Sequence, residues 1–405
     1  MPGRGSRMTD ASPAGLRVLF YSHDGTGLGH LRITLGVATA YAQLRQQDSL
    51  LLVTGSLKTG AFTLPDNLDY VKLPAMPKRD LYASLPPTEG YTGSHNSTIR
   101  FRTAVALATI QAFDPHLVVI DHAPAGLFRE LAPSIDWLRR RDPPPSLALL
   151  MRDVTFGAEQ TRSIWTNEGV YPLLDQAYDR ILVYGDRRVF DPIVAYGMSE
   201  LAAARTRFCG YLAPFPPRRS PAQVRAEIGA GTLPLIAVSV GGGGDGGAFL
   251  HTYLAGLRDG SRGPVQSYVV TGPLLPQRDR AEIMDMIDAL PNVRVVDFDP
   301  DFTAVVQAAD AVVCMGGYNS VAESVYFGKR PIVMPRVPGS EEQVLRAEGF
   351  ARLGLATVVG PEPLDAAALW DAIDRELSRA DRPGPILAFD GLECIARDLA
   401  GLAAG

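Results

Sequence analysis

The sequence predicts an α/β protein with two doubly wound, Rossmann-like domains that face a cleft. Short apolar runs typical of buried strands alternate with helical stretches along most of the chain, and such alternation indicates parallel sheets covered by helices. A proline-rich segment at residues 211–219 separates one set of runs from the other, as a linker would. Polar or glycine-rich residues follow most of the runs, at the sheet edge where ligands of such folds bind.

The predicted strands form two sets. The first set covers residues 16–21, 50–53, 117–120, 147–151 and 181–184, and the second covers residues 235–240, 267–270, 293–296, 311–314 and 332–334. We therefore predict a disordered tail at 1–15, an N-terminal domain at 16–213 and a linker at 214–219. A C-terminal domain follows at 220–385, and a final helix at 386–405 is expected to pack back on the N-terminal domain.

Composition limits the class of protein. The 405 residues are 46% hydrophobic and 20% charged, which is ordinary for a globular chain of two domains. A formal net charge of −5 gives no general attraction to nucleic acid. The three cysteines, Cys209, Cys314 and Cys394, follow no metal-site spacing and indicate unpaired thiols in a reducing compartment. With no apolar run near ~18 residues and no signal-peptide pattern, we expect a cytoplasmic protein.

The segment at residues 311–335 has the pattern of a strand, a glycine turn, a helix and a second strand. Gly316 and Gly317 end the first apolar run, and glycine permits left-handed backbone or close backbone approach. Ser320 and Glu323 fit a capping box, which predicts that the helix begins at Ser320. The free amides at such a helix start form an anion site. Glu323 has two readings from this pattern: it caps the helix, or its carboxylate binds the paired hydroxyls of a ligand.

Two glycine-rich loops require a test against known nucleotide motifs. Residues 25–30 approach the dinucleotide pattern GxGxxG, but the last position is His30 and no acidic residue follows the next strand, so a nicotinamide or flavin site is disfavoured. Residues 241–247 are glycine-rich but lack the Lys-Ser/Thr pair of a P-loop. This second loop leads into a predicted helix at 248–257, so Gly242 and Gly243 are candidates to present amides to a diphosphate.

The residues at 295–347 carry a resemblance to a known family. In this segment the chain resembles glycosyltransferases of the GT-B type, most closely the family of the peptidoglycan N-acetylglucosaminyltransferase and the plant galactolipid synthases. Within it, the chain is most similar to the bacterial "predicted glycosyltransferase" group. The resemblance covers nearly all of the chain after the tail, and it implies an N-terminal acceptor-binding domain and a C-terminal domain that binds a nucleotide-sugar donor, with UDP as the expected nucleotide.

The resemblance implies roles for the residues that bind the nucleotide. Phe298 and Asp299 resemble the segment that cups the base. Gly316 and Gly317 resemble the turn beneath the phosphates, next to Ser320 in the helix start. Glu323 falls where the family has a carboxylate on the ribose hydroxyls.

The resemblance also extends to the donor sugar and the acceptor. Glu342 and Gln343 fall on the pair that touches the donor sugar, although Glu342 replaces a glutamine of the family, and the identity of the sugar is therefore left open. Gly27, Gly29 and His30 resemble the glycine loop and histidine on the acceptor side. Met315 and Gly316 stand where the family has an Arg-Ser pair, so the phosphate contacts are expected to differ.

Glycosyl transfer needs a base for the acceptor hydroxyl and a positive environment for the leaving diphosphate. His30 is the leading base candidate, because the ordinary pKa of imidazole, about 6.5, suits proton transfer near neutrality. The alternatives are Asp121, His122 and Asp153; Asp121 and His122 also fit an orienting pair, and Arg152 fits an acceptor anion or a partner for Asp153. Resemblance implies inversion in one displacement. No metal or other cofactor is expected to be required.

The acceptor is left open by the sequence. The loop at 73–97 is a candidate for acceptor recognition, and the acceptor is a small molecule, a glycan or a lipid-linked group. Apolar and basic residues mix at 127–141, a pattern that fits an ordinary amphipathic helix better than a peripheral membrane face. Two other functions compete with glycosyl transfer on the same scaffold: a sugar-nucleotide epimerase and a non-catalytic protein that binds a nucleotide-sugar.

Overall fold

The structure is a computed structural model of the full chain. It describes residues 15–22, 29–75, 94–258, 263–335, 341–360, 364–381, 384 and 386–404. The chain divides into two compact units. Unit 1 holds the described residues within Met1–Leu150, Glu168–Leu182 and Leu392–Gly405, and unit 2 holds those within Met151–Asn167 and Val183–Gly391.

Strands and helices alternate as the apolar pattern predicts. The strands are β1 Arg17–Ser22, β2 Ser49–Thr54, β3 Leu68–Lys72, β4 Leu117–Asp121, β5 Ser146–Arg152, β6 Arg180–Tyr184, β7 Thr206–Phe208, β8 Leu235–Ser239, β9 Gln266–Val270, β10 Val293–Val296, β11 Ala311–Cys314, β12 Ile332–Val333 and β13 Thr357–Val358. Each run predicted from the sequence is a strand, with ends shifted by a residue or so.

The described helices cover the sheets between these strands. They are α1 Gly29–Leu44, α2 Ser94–Phe113, α3 Ala132–Arg139, α4 Ala158–Asn167, α5 Val170–Gln176, α6 Pro192–Ala195, α7 Glu200–Arg205, α8 Pro221–Ile228, α9 Gly247–Arg258, α10 Gln277–Ile287, α11 Phe302–Ala308, α12 Tyr318–Tyr326, α13 Glu341–Arg352, α14 Ala366–Leu377 and α15 Gly391–Ala404, with 3-10 turns at Thr59–Ala61 and Leu127–Arg129. The predicted loop at 73–97 falls mostly outside the described residues.

Both sheets have doubly wound strand orders. The first has seven strands in the order β3-β2-β1-β4-β5-β6-β7, and the second has six in the order β10-β9-β8-β11-β12-β13. All neighbouring pairs of the second sheet are parallel. In each sheet the order reverses beside the first strand of its set, β1 or β8, and ligands of open α/β sheets bind at the carboxyl ends of the strands near such a reversal.

The second sheet buries both of its faces. Ile236 and Val238 of β8 pack with α9 and α14 in one apolar cluster, whereas Leu235 and Ala237 pack with α8 and α11 in another. Alternate residues of a strand point to opposite faces, so a strand covered on both sides is apolar throughout. This is why the sequence shows continuous apolar runs there.

Three strands were missed from the sequence: β3, β7 and β13. Each is at the edge of its sheet, and each contains exposed or half-buried residues. Edge strands face solvent on one side and do not need a continuous apolar run. The apolar pattern therefore predicts the interior strands of both sheets and one edge strand, β10, and misses the other three edge strands.

The C-terminal helix α15 belongs to unit 1. Gly36 of α1 lies so close to it that an added Cβ would come within 3.2 Å of a methyl group of Leu392. A larger residue at position 36 would push α15 away from α1. The domain boundaries predicted from the sequence, including the linker at 214–219, stay a prediction.

Candidate active site

A glycine turn joins β11 to α12 in unit 2. Gly316 has a φ of +88°, and a Cβ there would come within 2.9 Å of Cγ1 of Val333 and 3.2 Å of the carbonyl oxygen of Gln343. A left-handed backbone and this close contact together require glycine. Gly317 is the N-cap residue of α12 and has no side chain to cap it. The first amides of α12 therefore have no capping side chain and are suited to an anion.

The predicted capping box at Ser320 is wrong. The helix begins at Tyr318, so Ser320 lies inside its first turn, where its carbonyl oxygen accepts a hydrogen bond of 2.6 Å from the hydroxyl of Ser324. Glu323 lies farther along the helix and is half-buried. The capping interpretation of Glu323 is thereby wrong, and ligand binding by Glu323 stays a prediction.

Helix α13 brings the predicted donor-sugar residues to this turn. The carbonyl oxygen and Cβ of Gln343 are the atoms that a side chain at Gly316 would meet, at 3.2 and 3.3 Å. Glu342 precedes it in the first turn of α13 and lies 3.6 Å from a guanidinium nitrogen of Arg346. Gly316, Glu342 and Gln343, which are distant in sequence, thus occupy one locality in unit 2.

Arg152 contacts the predicted donor residue Glu342, and Asp153 is linked to it through Arg346. A guanidinium nitrogen of Arg152 lies 3.8 Å from a carboxylate oxygen of Glu342. Asp153 is fully buried, and its carboxylate accepts hydrogen bonds from Arg346, at 2.9 to 3.2 Å, and from the hydroxyl of Tyr211 at 3.1 Å. A carboxylate that is buried and paired in this way is poorly placed to take a proton from an acceptor hydroxyl. This disfavours Asp153 as an alternative base, which stays a prediction, and Arg346 links Asp153 to Gly316 and Glu342.

Tyrosines surround this ion pair. Tyr318 lies beneath both guanidinium groups, with its ring centroid 5.9 Å from Arg152 and 5.8 Å from Arg346. Burial raises the pKa of Tyr318 and of Tyr211 well above the usual value, and the negative charge of Asp153 raises both further. Both phenols are therefore neutral near pH 7, and Tyr211 serves as a hydrogen-bond donor to Asp153.

The backbone of the glycine loop after β8 packs against the backbone of the loop after β9. A Cβ at Gly243, whose φ is +86°, would come within 2.2 Å of the carbonyl oxygen of Thr271, and one at Gly272 would come within 2.4 Å of Gly242. Gly242 itself is exposed, whereas Gly243 is buried. Of the two glycines proposed to face a diphosphate, only Gly242 presents its backbone to solvent; Gly243 sets the close approach of two loops.

The loop after β10 holds Phe298 and Asp299, the two residues predicted to contact the base, and only Phe298 has an exposed side chain. The side chain of Phe298 is 58% exposed. Asp299 instead accepts hydrogen bonds from Arg219 at 2.8 Å and from the hydroxyl of Tyr268 at 2.9 Å, and it also accepts one from the backbone amide of Asp301 at 2.8 Å. The carboxylate of Asp299 thus shapes the loop, and Phe298 is the residue open to a ligand.

In unit 1, His30 and Asp121 form a hydrogen-bonded pair. His30 lies in the first turn of α1, and its Nδ1 is 2.7 Å from Oδ2 of Asp121, a fully buried residue at the end of β4. The imidazole is 17% exposed. A carboxylate on Nδ1 holds the ring so that Nε2 is directed elsewhere and can accept a proton. This pairing favours an orienting role for Asp121, and its role as an alternative base stays a prediction.

His122 lies beside this pair. Its ring centroid is 5.0 Å from that of His30, and its φ of +63° is uncommon for a residue other than glycine. Gly29 begins α1, and an added Cβ there would meet no atom of the described residues within 4 Å, so packing against that part of the chain does not require glycine. Gly27 falls outside the described residues.

A segment of the C-terminal half of the chain matches a known family model. Residues 256–385 match the glycosyltransferase family 28 C-terminal domain. That segment contains β10 to β13 and the predicted donor residues from Phe298 to Gln343. No curated protein has a significant match to the sequence.

Solved structures share the fold at low sequence identity. MurG of Acinetobacter baumannii aligns over 96% of this chain and 98% of its own at 13% identity, with a TM-score of 0.59. UGT71G1 of Medicago truncatula, complexed with UDP-glucose, aligns over 96% of this chain and 98% of its own at 12% identity, with a TM-score of 0.63. The UDP-GlcNAc 2-epimerase of Methanocaldococcus jannaschii aligns over 96% of this chain and 99% of its own at 11% identity, with a TM-score of 0.60.

This protein has the GT-B fold. The prediction of two doubly wound domains is confirmed, and the match over residues 256–385 together with the fold supports a glycosyltransferase. An epimerase shares the fold, so the family match is what favours transfer. None of the described helices is long and apolar enough to cross a membrane.

Proposed function

We propose that this GT-B protein moves a sugar from a UDP-sugar to an acceptor hydroxyl, with inversion at the anomeric carbon. The observation that carries the proposal is the turn at Gly316 and Gly317, which opens α12 while Glu323 lies on the same helix. This turn lies within the segment that matches the glycosyltransferase family 28 C-terminal domain. A helix start of this kind suits a diphosphate, and a carboxylate nearby suits a ribose diol.

The donor is proposed to bind along unit 2. The diphosphate accepts hydrogen bonds from amides at the start of α12, and Glu323 accepts hydrogen bonds from the ribose hydroxyls. Phe298, which is exposed, covers the base. Glu342 and Gln343 bind the sugar. Charge-assisted hydrogen bonds of the Glu323 type contribute about 1.5–3 kcal/mol each, so this residue accounts for a large share of nucleotide affinity.

The transfer step uses His30 as the base. The acceptor oxygen forms a bond to the anomeric carbon as the bond from that carbon to the diphosphate oxygen breaks, and Nε2 of His30 takes the hydroxyl proton. Asp121 stabilises the imidazolium through Nδ1, at 2.7 Å. UDP leaves with the bonding electron pair, and the amides of α12 stabilise its charge. We expect no required metal, because these amides already offset the developing charge.

Uridine is the proposed nucleotide because UGT71G1, which shares the fold, was solved with UDP-glucose. The acceptor is proposed to be a small molecule, a glycan or a lipid-linked group bound to unit 1, with Gly27, Gly29 and His122 as candidate contacts. Cys209, Cys314 and Cys394 are buried and form no disulfide with one another, which supports the proposed cytoplasmic location. No nucleic-acid partner is proposed, and peripheral membrane contact is left to experiment.

Epimerisation of a sugar nucleotide is the second candidate, since the archaeal epimerase has the same fold. The two reactions differ in what they consume. An epimerase converts the donor without an acceptor, whereas a transferase releases UDP in proportion to the glycosylated acceptor. Incubation of the protein with UDP-sugars alone, followed by chromatography of the sugar nucleotides, separates them: an epimeric product would contradict the proposed transfer.

A thermal-shift screen against nucleoside diphosphates and their sugars tests the donor class. Bound ligand raises the melting temperature by mass action, so UDP should stabilise the protein more than ADP, GDP or TDP at equal concentration. The screen is run with EDTA and again with Mg²⁺, and the two sets should agree. Glu323→Gln should lose the shift, while Glu348→Gln, a change at an exposed residue of α13, should keep it. No shift with any nucleotide would contradict the proposal.

A further inference from the structure

The deepest charged group near the proposed donor site is Arg346, whose side chain is fully buried. Its guanidinium donates to both carboxylate oxygens of Asp153 at 2.9 to 3.2 Å and to the carbonyl oxygens of Val154 and Gly316 at 3.2 Å each. Three segments therefore meet at one side chain: the end of β5, the turn after β11, and α13. Arg346 was not predicted from the sequence.

Stability alone is a weak reason for such a cluster. Removing two charges from water is costly, and an apolar pair of the same volume is often as stable or more stable. A carboxylate oxygen of Glu342 lies 3.6 Å from a guanidinium nitrogen of Arg346, and the guanidinium lies over the ring of Tyr318. Tyr211 packs against the rings of Tyr318 and Phe350. An arginine in this position has another property that an apolar residue lacks, because its planar fork fixes the direction of several acceptors at once.

The contact with Gly316 determines the direction of a peptide group. The carbonyl of Gly316 and the N–H of Gly317 belong to one planar trans peptide, so they point in opposite directions. The hydrogen bond from Arg346 to the carbonyl oxygen of Gly316 therefore aims the N–H of Gly317 away from the buried cluster. A charged donor on the carbonyl also polarises the peptide and strengthens that N–H as a donor.

We propose that Arg346 is a positioning residue of the donor site: it holds the peptide between Gly316 and Gly317 so that the Gly317 amide faces the diphosphate. Asp153 neutralises Arg346 and fixes its fork. The inference rests on the proposed function, since it assumes that a diphosphate binds at this turn. Arg346 does not touch the ligand and acts through the backbone of Gly316.

The test separates positioning from stability with a double variant. Arg346→Met leaves Asp153 buried without its cation, and this variant should be strongly destabilised. Arg346→Met combined with Asp153→Leu removes both charges and should recover most of the stability. Urea unfolding measures stability, and calorimetric titration with UDP measures the Kd. We expect the double variant to bind UDP at least tenfold more weakly than the wild type, with a matching rise in donor KM.

Arg330→Met is the matched control. Arg330 is a second buried arginine of unit 2, and it donates to the carbonyl oxygen of Gly354 at 2.7 Å and pairs with Glu376 and Asp381. This change should lower stability and leave the Kd for UDP unchanged. Arg346→Lys retains the charge but lacks the fork, so it should unfold at a higher urea concentration than Arg346→Met and still bind UDP more weakly than the wild type.

The outcomes distinguish the two proposals. Wild-type UDP affinity in a stable double variant, or in Arg346→Lys, would overturn the positioning role and leave the proposed function intact. Absence of UDP binding by the wild type would instead remove the proposed function. Weak binding by the double variant with recovered stability, next to normal binding by Arg330→Met, supports the positioning role.

Discussion

The donor region of unit 2 and the base region of unit 1 are built by different means. In unit 2 the conformations of Gly316 and Gly317 define the proposed site, and side chains such as Arg346 hold that backbone in place. In unit 1 the proposed site is a pair of side chains, His30 and Asp121, on a helix start and a strand end. The proposed binding of a diphosphate therefore depends on backbone amides held in a fixed direction, whereas the proposed proton transfer depends on one oriented imidazole. Damage to each region should therefore have a different kinetic signature.

His30→Gln should have the largest effect on turnover. Glutamine retains polarity but is not a base, and general base catalysis contributes typically 10²–10⁴-fold. We expect kcat to fall by about that factor while the Kd for UDP stays near the wild-type value. His251→Gln, at a histidine that pairs with Glu282 at 3.2 Å, should change neither. If kcat survives in His30→Gln, the base is another residue and the contrast between the two regions fails.

Gly316→Ala should have the largest effect on the donor region. The added methyl group meets Val333 and Gln343 and forces a left-handed φ on alanine, so overpacking adds about 1–3 kcal/mol to the cost of strain. Gly354→Ala is the matched control, because Gly354 has a φ of +70° with no atom within 4 Å of the added Cβ. Urea unfolding should show a larger loss of unfolding free energy for Gly316→Ala than for Gly354→Ala, and Gly316→Ala should also bind UDP more weakly. Equal losses in the two variants, with normal UDP affinity in both, would refute the steric account.

Glu323→Gln should lower the affinity for the donor without lowering the stability of the fold. Since Glu323 does not cap α12, the melting temperature should be nearly unchanged. We expect the Kd for UDP to rise about tenfold or more, which is about 1.4 kcal/mol. Calorimetric titration with 2′-deoxy-UDP sharpens the test: it should bind the wild type more weakly than UDP does, and the variant should discriminate less between the two. Full discrimination retained in the variant would contradict a ribose contact.

Asp301→Asn should have the smallest effect, confined to stability and its dependence on pH. Burial acts to raise the pKa of Asp301, but hydrogen bonds from the amides of Arg218 and Arg219 and from the Arg219 side chain outweigh it, so the pKa is lowered. A lowered pKa in the folded state means stabilisation that is complete above the unfolded value, about 3.9, and is lost as pH falls through the folded value. Urea unfolding should show the variant less stable than the wild type at pH 7. The difference should shrink below pH 4, and a difference that persists unchanged would exclude this linkage.

The sequence predicted the local part of the donor region well and the long-range part poorly. The strand, turn, helix and strand around Gly316 lie within residues 311–335, and local apolar and glycine patterns were enough to predict them. The start of α12 was placed at Ser320 because a capping pattern fits there, yet the structure begins the helix at Tyr318 with Gly317 as its N-cap. A short polar motif could not outweigh the geometry of the turn.

Arg346 was missed because its partner is remote. Asp153 lies 193 residues away in the sequence, and arginine in a helix is most often solvent-exposed. One local signal was available: Arg346 precedes Phe350 by four residues, which puts both on one face of α13, and both are buried. The pairing of His30 with Asp121 has the same long-range character. From the sequence, His30 was the leading base candidate, and Asp121 was an alternative base or the partner of His122.

A crystal structure of the protein with UDP bound tests the central claim most directly. The claim predicts that the diphosphate lies within hydrogen-bond distance of the Gly317 amide and its neighbours at the start of α12. It also predicts that the Glu323 carboxylate accepts hydrogen bonds from the ribose hydroxyls at about 2.5–2.9 Å. A diphosphate bound away from this turn, or a ribose with no contact to Glu323, would contradict the account.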